Sequence, residues 1–403
     1  MLKLALRNIF RQKMRTGMTL AAIGLGVIGL ILSGGFVQDV YYQLGEALIH
    51  SQSGHLQVSK AGFQAHGTRS PEKYLVESPE AIQLAIENHP QVDAVMARIS
   101  FSGLISNGRS DMPVIGEGVE PDKEAKLGTQ VQFVAGRQLQ NKDANGVILG
   151  EGLAHALKLQ PGDALTLLVN TAEGVLNTLE VNVVGVFQSF SKEYDARAAR
   201  IQLAAAHELL NTKGVNTLVV SLKQTKDTDL VAMDLKSEFD RKGLEVKTWQ
   251  ELNDFYENTV ALYQRQFGVL QLIILVMVLL SVANSVNMSV LERIGEFGTM
   301  MAIGNRSGDV FRLVMLENVL LGVCGAILGV ILGVGLATLI SSIGIPMPPP
   351  PNANRGYIAQ IRVLPLMVVV AFCVGFLATM LAAPLPARRV SKIPVVEALR
   401  RNV

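Results

Sequence analysis

The sequence is poor in the residues that carry out chemistry. Its two cysteines, Cys324 and Cys373, both sit inside apolar runs, and residues 44–264 have none. No disulfide can brace that middle segment, which must rely on its own core. Charged residues are 17% of 403 positions against 49% hydrophobic, too apolar for a typical soluble chain and too polar for one lying wholly in lipid. G-x-x-x-x-G-K-[ST] is missing, so phosphates are not cradled by that route, and G-x-S-x-G, H-E-x-x-H and C-x-x-C are missing too. The six histidines (His50, His55, His66, His89, His155, His207) come with no cysteine and no tight acidic cluster. They read as scattered surface residues, and the expectation is no metal site, no catalytic residue and no cofactor in this chain.

Charge is missing in places as well. Residues 1–15 contain no acid, and residues 266–291 contain no charge. The net charge of +2 hides a split: residues 44–264 hold 20 Lys/Arg against 28 Asp/Glu, and the remainder 16 against 6. An acidic water-soluble part is fused to a basic apolar one. The basic residues flank apolar runs, which points to membrane orientation and away from nucleic acid.

In residues 1–15, Lys3, Arg7, Arg11 and Arg15 recur every four positions beside a stripe of Leu2, Leu6, Ile9, Phe10 and Met14. That predicts an amphipathic helix lying in the cytoplasmic membrane surface. Residues 16–43 form a first span, uncharged over 16–38. A signal peptide has a similar leader, but no A-x-A site follows and SGGF lacks a lipoprotein cysteine, so the span is read as retained. Ala22, Gly26, Gly29 and Ser33 share one face, suited to close helix packing. Gly24, Gly26 and Gly29 also spell G-x-G-x-x-G; inside a span and after no strand, this is not a dinucleotide site.

Residues 44–248 predict an α+β domain. Strand character falls on 55–59, 92–105, 112–118, 165–169, 179–187 and 244–247, with helices opening at Ser78-Pro79 and over 151–158 and 227–242. Residues 249–291 are a stalk and second span. Leu252, Phe255, Tyr256, Thr259, Val260 and Tyr263 lead at helical spacing into the uncharged run. That run would rise ~39 Å, more than the ~30 Å hydrocarbon layer needs, so one long helix projecting from the bilayer is expected. Ser281, Asn284, Ser285 and Ser289 give it a polar stripe that should face protein or a cavity.

Residues 292–312 form a polar turn with a short helical pattern, three basic residues against three acidic. Residues 313–343 are a third span with Gly322, Gly325, Gly329 and Gly333 on one face, and with Glu317 expected to make a structural pair, for instance with Arg312. A Pro-rich loop (344–362) predicts extended polyproline backbone, and a fourth span (363–387) and a basic tail (388–403) follow. Four spans with two basic ends place both termini and the 292–312 loop in the cytoplasm and the large domain outside, in an inner (plasma) membrane.

Three stretches carry a resemblance. Leu291-Glu292-Arg293-Ile294-Gly295-Glu296-Phe297-Gly298, with Ala302-Ile303-Gly304, Glu317 and a glycine-rich span, is similar to the "ERxxEIG…AxG…E…G" segment of the FtsX-like permeases of ABC transporters, the group of MacB, LolC and LolE. The run Pro386 to Arg400 resembles their C-terminal signature, and Gly136-Arg137, Val147–Gly150 and Gly185-Val186-Phe187 resemble their extracytoplasmic domain. The resemblance implies four transmembrane helices with the large extracytoplasmic α+β domain between helices 1 and 2. It further implies a non-catalytic, dimeric permease subunit whose 292–312 loop seats on a cytoplasmic ATPase that binds ATP and Mg. Glu292, Arg293, Glu296, Phe297, Gly298, Ala302 and Gly304 would be the coupling residues, with Arg388, Arg389 and Lys392 in the basic tail. Met300 stands where the family often has a basic residue.

The expected partners are that ATPase, a second copy or paralogue, membrane lipid and a periplasmic carrier or adaptor, with no nucleic acid. The expected function is mechanotransmission that extracts or exports a lipoprotein or other hydrophobic cargo. The alternative is a regulatory transmitter that controls a cell-wall hydrolase.

Overall fold

In a computed structural model, the protein is described over residues 2–11, 13–67, 70–171, 173–349, 353–354, 356–395 and 398. The chain divides into two units. One comprises Met1–Tyr41, Thr259–Pro346 and Ile358–Val403, the other Tyr42–Asn258 and Met347–Tyr357.

The chain begins with helix α1 (Leu2–Arg11), followed by α2 (Lys13–Leu48), which ends in a π-helical turn, Ile49–Ser53. Then come β1 (Leu56–Lys60), α3 (Phe63–His66), α4 (Pro79–Glu87), β2 (Val92–Ser106), β3 (Asp111–Val119), α5 (Pro121–Leu127), β4 (Gln132–Gly136), β5 (Gly146–Gly150) and α6 (Glu151–Leu157). The unit continues with β6 (Ala164–Asn170), β7 (Leu176–Gln188), α7 (Lys192–Asp195), β8 (Ala198–Gln202), α8 (Leu203–Leu210), β9 (Thr217–Leu222), α9 (Thr228–Phe239) and β10 (Leu244–Thr248). Ser78 stands at the N-cap of α4 but makes no capping hydrogen bond, so Pro79 alone marks that start.

The strands order as β10-β1-β9-β2-β3-β8-β5-β7-β4, with β6 joining β2 to β7. The links β2-β3-β8-β5-β7-β6-β2 close a circuit of six strands. Its lining alternates with the strand period: Ile99, Phe101, Val114, Val147, Leu149, Leu165, Leu167, Val181 and Val183 are all buried in one cluster. The strand β2 is long enough, at 15 residues, to belong also to the run β10-β1-β9-β2. There a second core gathers Leu56, Val58, Val95, Val220 and Val246 with Ile86 of α4 and Val231, Leu235 and Phe239 of α9. These two cores explain how a segment without cysteine holds together: valine, isoleucine and leucine fill both.

The other unit is helical. After α10 (Asp254–Glu292) come α11 (Ile294–Ala302) and α12 (Ser307–Ile343). The extended β11 (Ile345–Met347) and β12 (Tyr357–Ala359) precede α13 (Pro365–Ala382) and α14 (Pro384–Ser391). Pro350 and Pro351 of the expected polyproline stretch lie outside the described residues, as do Glu397, Arg400 and Arg401 of the tail. Among the described residues, four helices are long and apolar enough to cross a membrane: Lys13–Ser53, Tyr256–Glu292, Ser307–Ile343 and Pro365–Ser391.

The glycine faces sort the packing. On α12, a Cβ at Gly329 would meet the Gly24 Cα at 3.0 Å and one at Gly325 or Gly333 would meet Ile23 or Ile31 of α2, also at 3.0 Å. Gly322 instead lies against Thr379 and Phe376 of α13. From the face of Ala22, Gly26, Gly29 and Ser33, the two glycines pack on α10, where Gly26 meets Val278 and Gly29 meets Ile274. Gly24 of the G-x-G-x-x-G run is therefore a helix-packing residue.

Candidate coupling site

The short helix α11 is built into the helical unit by one face and left open at its tip. Arg293, at φ −105° and ψ 14°, breaks α10 and starts α11. Ile294, Phe297 and Gly298 are buried, and Phe297, 1% exposed, shares a core with Val282, Val286 and Val290 of α10 and Val310, Leu313 and Val314 of α12. At the other end Ala302, Ile303 and Gly304 are exposed, Ile303 at 77%. Gly304 has φ +104°, a backbone that L side chains rarely adopt. Asn305 closes the turn by donating its amide and side chain to the Met300 carbonyl, both at 3.1 Å.

Ion pairs hold this arrangement. The Arg293 guanidinium donates from Nη1 to Glu317 Oε2 at 2.6 Å and from Nε to Glu296 Oε2 at 3.0 Å, and lies 4.9 Å from the centre of the Phe297 ring. Glu317 accepts a second bond from Asn8 Nδ2 at 2.7 Å. Arg15 pairs with Glu292 at 2.7 Å, and Arg11 pairs with Glu296. One buried carboxylate thus joins α1, α12 and the start of α11. Two residues of the N-terminal basic stripe neutralise acids of the 292–296 turn, where the sequence suggested a helix facing lipid headgroups.

Glu317 does not pair with Arg312. Five residues apart on a helix, the two point about 140° away from each other, and Arg312 is exposed while Glu317 is buried. The polar stripe of α10 divides: Ser285 and Ser289 face protein, while Ser281 and Asn284 are exposed. Ser285 hydrogen-bonds Thr19 of α2, and Ser285 and Ser289 line a cavity of about 30 Å³ together with Asn8, Arg293 and Glu317. Arg388, Arg389 and Lys392 are exposed on and just after α14, whose Ala387 and Val390 are buried in the same core as Phe297. Among the described residues no group of three His, Cys, Asp or Glu is placed to hold a metal ion.

The soluble unit holds a second polar cluster that no sequence motif announced. Glu117 of β3 stands opposite Arg200 of β8 in register and receives its Nε at 2.9 Å and the Tyr194 hydroxyl at 2.9 Å. Arg98 of β2 donates to Glu124 of α5 through Nε at 3.2 Å and through Nη2. Burial alone would lift the Glu117 carboxyl, but the charges of Arg200 and Arg98 outweigh it and hold it below the usual carboxylate range. Burial pushes the Tyr194 hydroxyl well up, so it stays protonated and donates. His55 is another departure from expectation. It is buried, accepts the Leu222 amide at Nδ1 (3.1 Å) and meets Thr225 Oγ1 at 3.2 Å, so it is a core residue and not a surface one.

Comparison with known proteins agrees with this geometry. Residues 16–238 match the MacB-like periplasmic core domain, and residues 268–395 match the FtsX-like permease C-terminal family. An uncharacterised ABC transporter permease of Methanocaldococcus jannaschii is 23% identical over 66% of this chain, which spans 64% of that protein's length. The lipoprotein-releasing system transmembrane protein LolC of Neisseria meningitidis is 23% identical over 96% of this chain and 94% of its own. A crystal structure of the periplasmic region of MacB from Actinobacillus actinomycetemcomitans aligns at TM-score 0.37 and 13% identity, over 52% of this chain and 96% of that one. Four spanning helices with an α+β insert after the first define a multi-pass membrane permease. The chain belongs to the FtsX-like family of ABC transporter permeases, with a periplasmic domain of the MacB type.

Proposed function

We propose that this chain is the membrane subunit of an ABC transporter that turns ATP-driven movement of an ATPase, lying outside these 403 residues, into work by its soluble domain on a lipoprotein or other hydrophobic cargo. Both termini and α11 face the cytoplasm in this reading, and the α+β domain faces the periplasm. The coupling surface is the tip of α11, Ala302, Ile303 and Gly304. Two copies, or one copy and a paralogue, complete the transporter.

The observation that carries the reading is the Arg293–Glu317–Asn8 junction. A short helix bolted through a buried ion pair to two neighbouring helices cannot tilt without moving them. Its exposed tip, meanwhile, offers an apolar anchor at Ile303. Arg293, Phe297 and Gly298 serve the bolt, and residues 302–304 serve the contact. Near end-to-end similarity to LolC supports the lipoprotein class of cargo.

The test is Ile303→Asp in a reconstituted complex. Membrane insertion should be unchanged, while ATPase binding and cargo release fall at least tenfold. Parental release by that variant defeats the reading. So does labelling of Ile303→Cys and Leu176→Cys from the same side of the bilayer, in a chain with Cys324 and Cys373 replaced by alanine.

A further inference from the structure

The buried arginines of the soluble unit do more than neutralise acids. Arg98 and Arg200 are 4% and 2% exposed, and each has one branch of its guanidinium left over after pairing with carboxylates. Those branches point to one place. Arg98 Nη1 donates to the Gln52 carbonyl at 2.6 Å and Arg200 Nη2 to the Ser51 carbonyl at 3.4 Å. Both carbonyls belong to the π-helical turn that ends α2. Carbonyls in the last turn of a helix have no partner within it, and a cation placed there is favoured by the helix dipole. The strands that hold the arginines and Glu117 are neighbours at the middle of the sheet, β2-β3-β8. The end of α2 is held on another side as well: a Cβ at Gly45 would sit 2.7 Å from the Trp249 ring.

We propose that Arg98 and Arg200 are positioning residues that fasten the end of α2 to the three central strands, so that displacement of the first spanning helix is delivered to the soluble domain. This rests on the permease reading above for its purpose, though not for its structure. The π-turn belongs to the device: its wider loop, closed i to i+5, sets the Ser51 and Gln52 carbonyls toward the arginines, and such turns recur at functional sites. Arginine is required because lysine, a single ammonium, can keep the carboxylate but cannot also fork to a carbonyl.

The experiment is the double variant Arg98→Lys/Arg200→Lys in the full chain in nanodiscs, which keeps both buried ion pairs and removes the grip. Hydrogen exchange at amides 50–56 should accelerate at least tenfold, with β5, β6 and β7 unchanged. With the ATPase present, cargo release should fall at least tenfold at the parental rate of ATP hydrolysis. If the double lysine variant does not fold, deletion of Ser51 decides, because it removes one of the two carbonyls, returns the turn to α-helical phase and so swings the Gln52 carbonyl away, without touching the arginines. Parental exchange at 50–56, or parental release with exchange accelerated, overturns the proposal. The exchange measurement needs neither nucleotide nor ATPase, so a parental complex that releases nothing with ATP counts against the permease reading and leaves the grip to be judged by exchange alone.

Discussion

The two units handle buried charge differently. In the sheet, Arg98 of β2 and Arg200 of β8 are surrounded by carboxylates, a tyrosine and backbone carbonyls drawn from β3, α5, α7 and the end of α2. Strand register fixes these groups: Glu117 faces Arg200 because the β3–β8 ladder pairs them. In the helical unit Arg293 has two acids, and one of them, Glu296, is 38% exposed. Its geometry depends on side chains reaching between helices. The contrast extends to apolar residues. The sheet packs most of its valines and leucines into two cores, whereas α10 exposes Leu272, Val276 and Leu280. A cluster locked by backbone pairing should be costly to break, and one held by side chains with water access should be more forgiving.

The sharpest way to break this comparison is Arg200→Met. It strips Glu117 and Tyr194 of their nearest cation and leaves only the more distant charge of Arg98, and removing one partner of a buried pair costs about 3–5 kcal/mol. Trp249, the chain's one tryptophan, is buried in the soluble unit and reports its unfolding in denaturant by fluorescence. A cost under about 1 kcal/mol would mean that the cluster is plastic and that strand register does not lock it.

The same contrast explains what could be read from sequence. The spans, the 292–312 turn, the glycine seam of α12 and the polar stripe of α10 are all local patterns of a few helical turns. They appear in the structure as Gly329 on Gly24 and as Ser285 on Thr19. Glu317 was legible as a buried acid needing a partner. Its partner was not, because Arg293 and Asn8 reach it from 24 and 309 residues away. The Arg98–Glu124–Glu117–Arg200 cluster was wholly silent. Each member looks like an ordinary strand or helix charge until the sheet order β2-β3-β8 brings them side by side. His55 is hidden for a similar reason: without a cysteine or acidic cluster beside it, it reads as a surface residue, while the Leu222 amide that it accepts lies 167 residues away.

A second test sharpens the comparison by titration. Burial, followed by the neighbouring His50, pushes the His55 pKa down from 6.5 to about 4. Between those values the unfolded chain binds a proton that the folded chain refuses. Stability contributed by the neutral ring is therefore complete above pH 6.5, falls as pH drops through 6.5 toward 4, and is lost by about pH 4. At 1.36 kcal/mol per unit the loss is about 3 kcal/mol. His55→Gln keeps an acceptor for Leu222 and a donor for Thr225 without titrating, so its unfolding free energy should show a flatter slope than the parent over this window. Parallel slopes would show that His55 is solvated.

The smallest effect should come from the helical unit. Glu317→Gln removes the buried negative charge, but the amide oxygen still accepts from Asn8, and Arg293 keeps Glu296 at 3.0 Å. The expected cost is about 2 kcal/mol, near that of one charge-assisted hydrogen bond, since the guanidinium is not stranded. Unfolding in mixed micelles of rising SDS fraction, followed by helical circular dichroism, measures it. The exchange Arg293→Glu with Glu317→Arg should recover part of any coupling lost in either single variant, as a pair acting through geometry would. A cost matching that of Arg200→Met would mean that Glu296 contributes nothing once Glu317 is neutral. The bolt between α11 and α12 would then be a single bond, and its loss should release α11 outright.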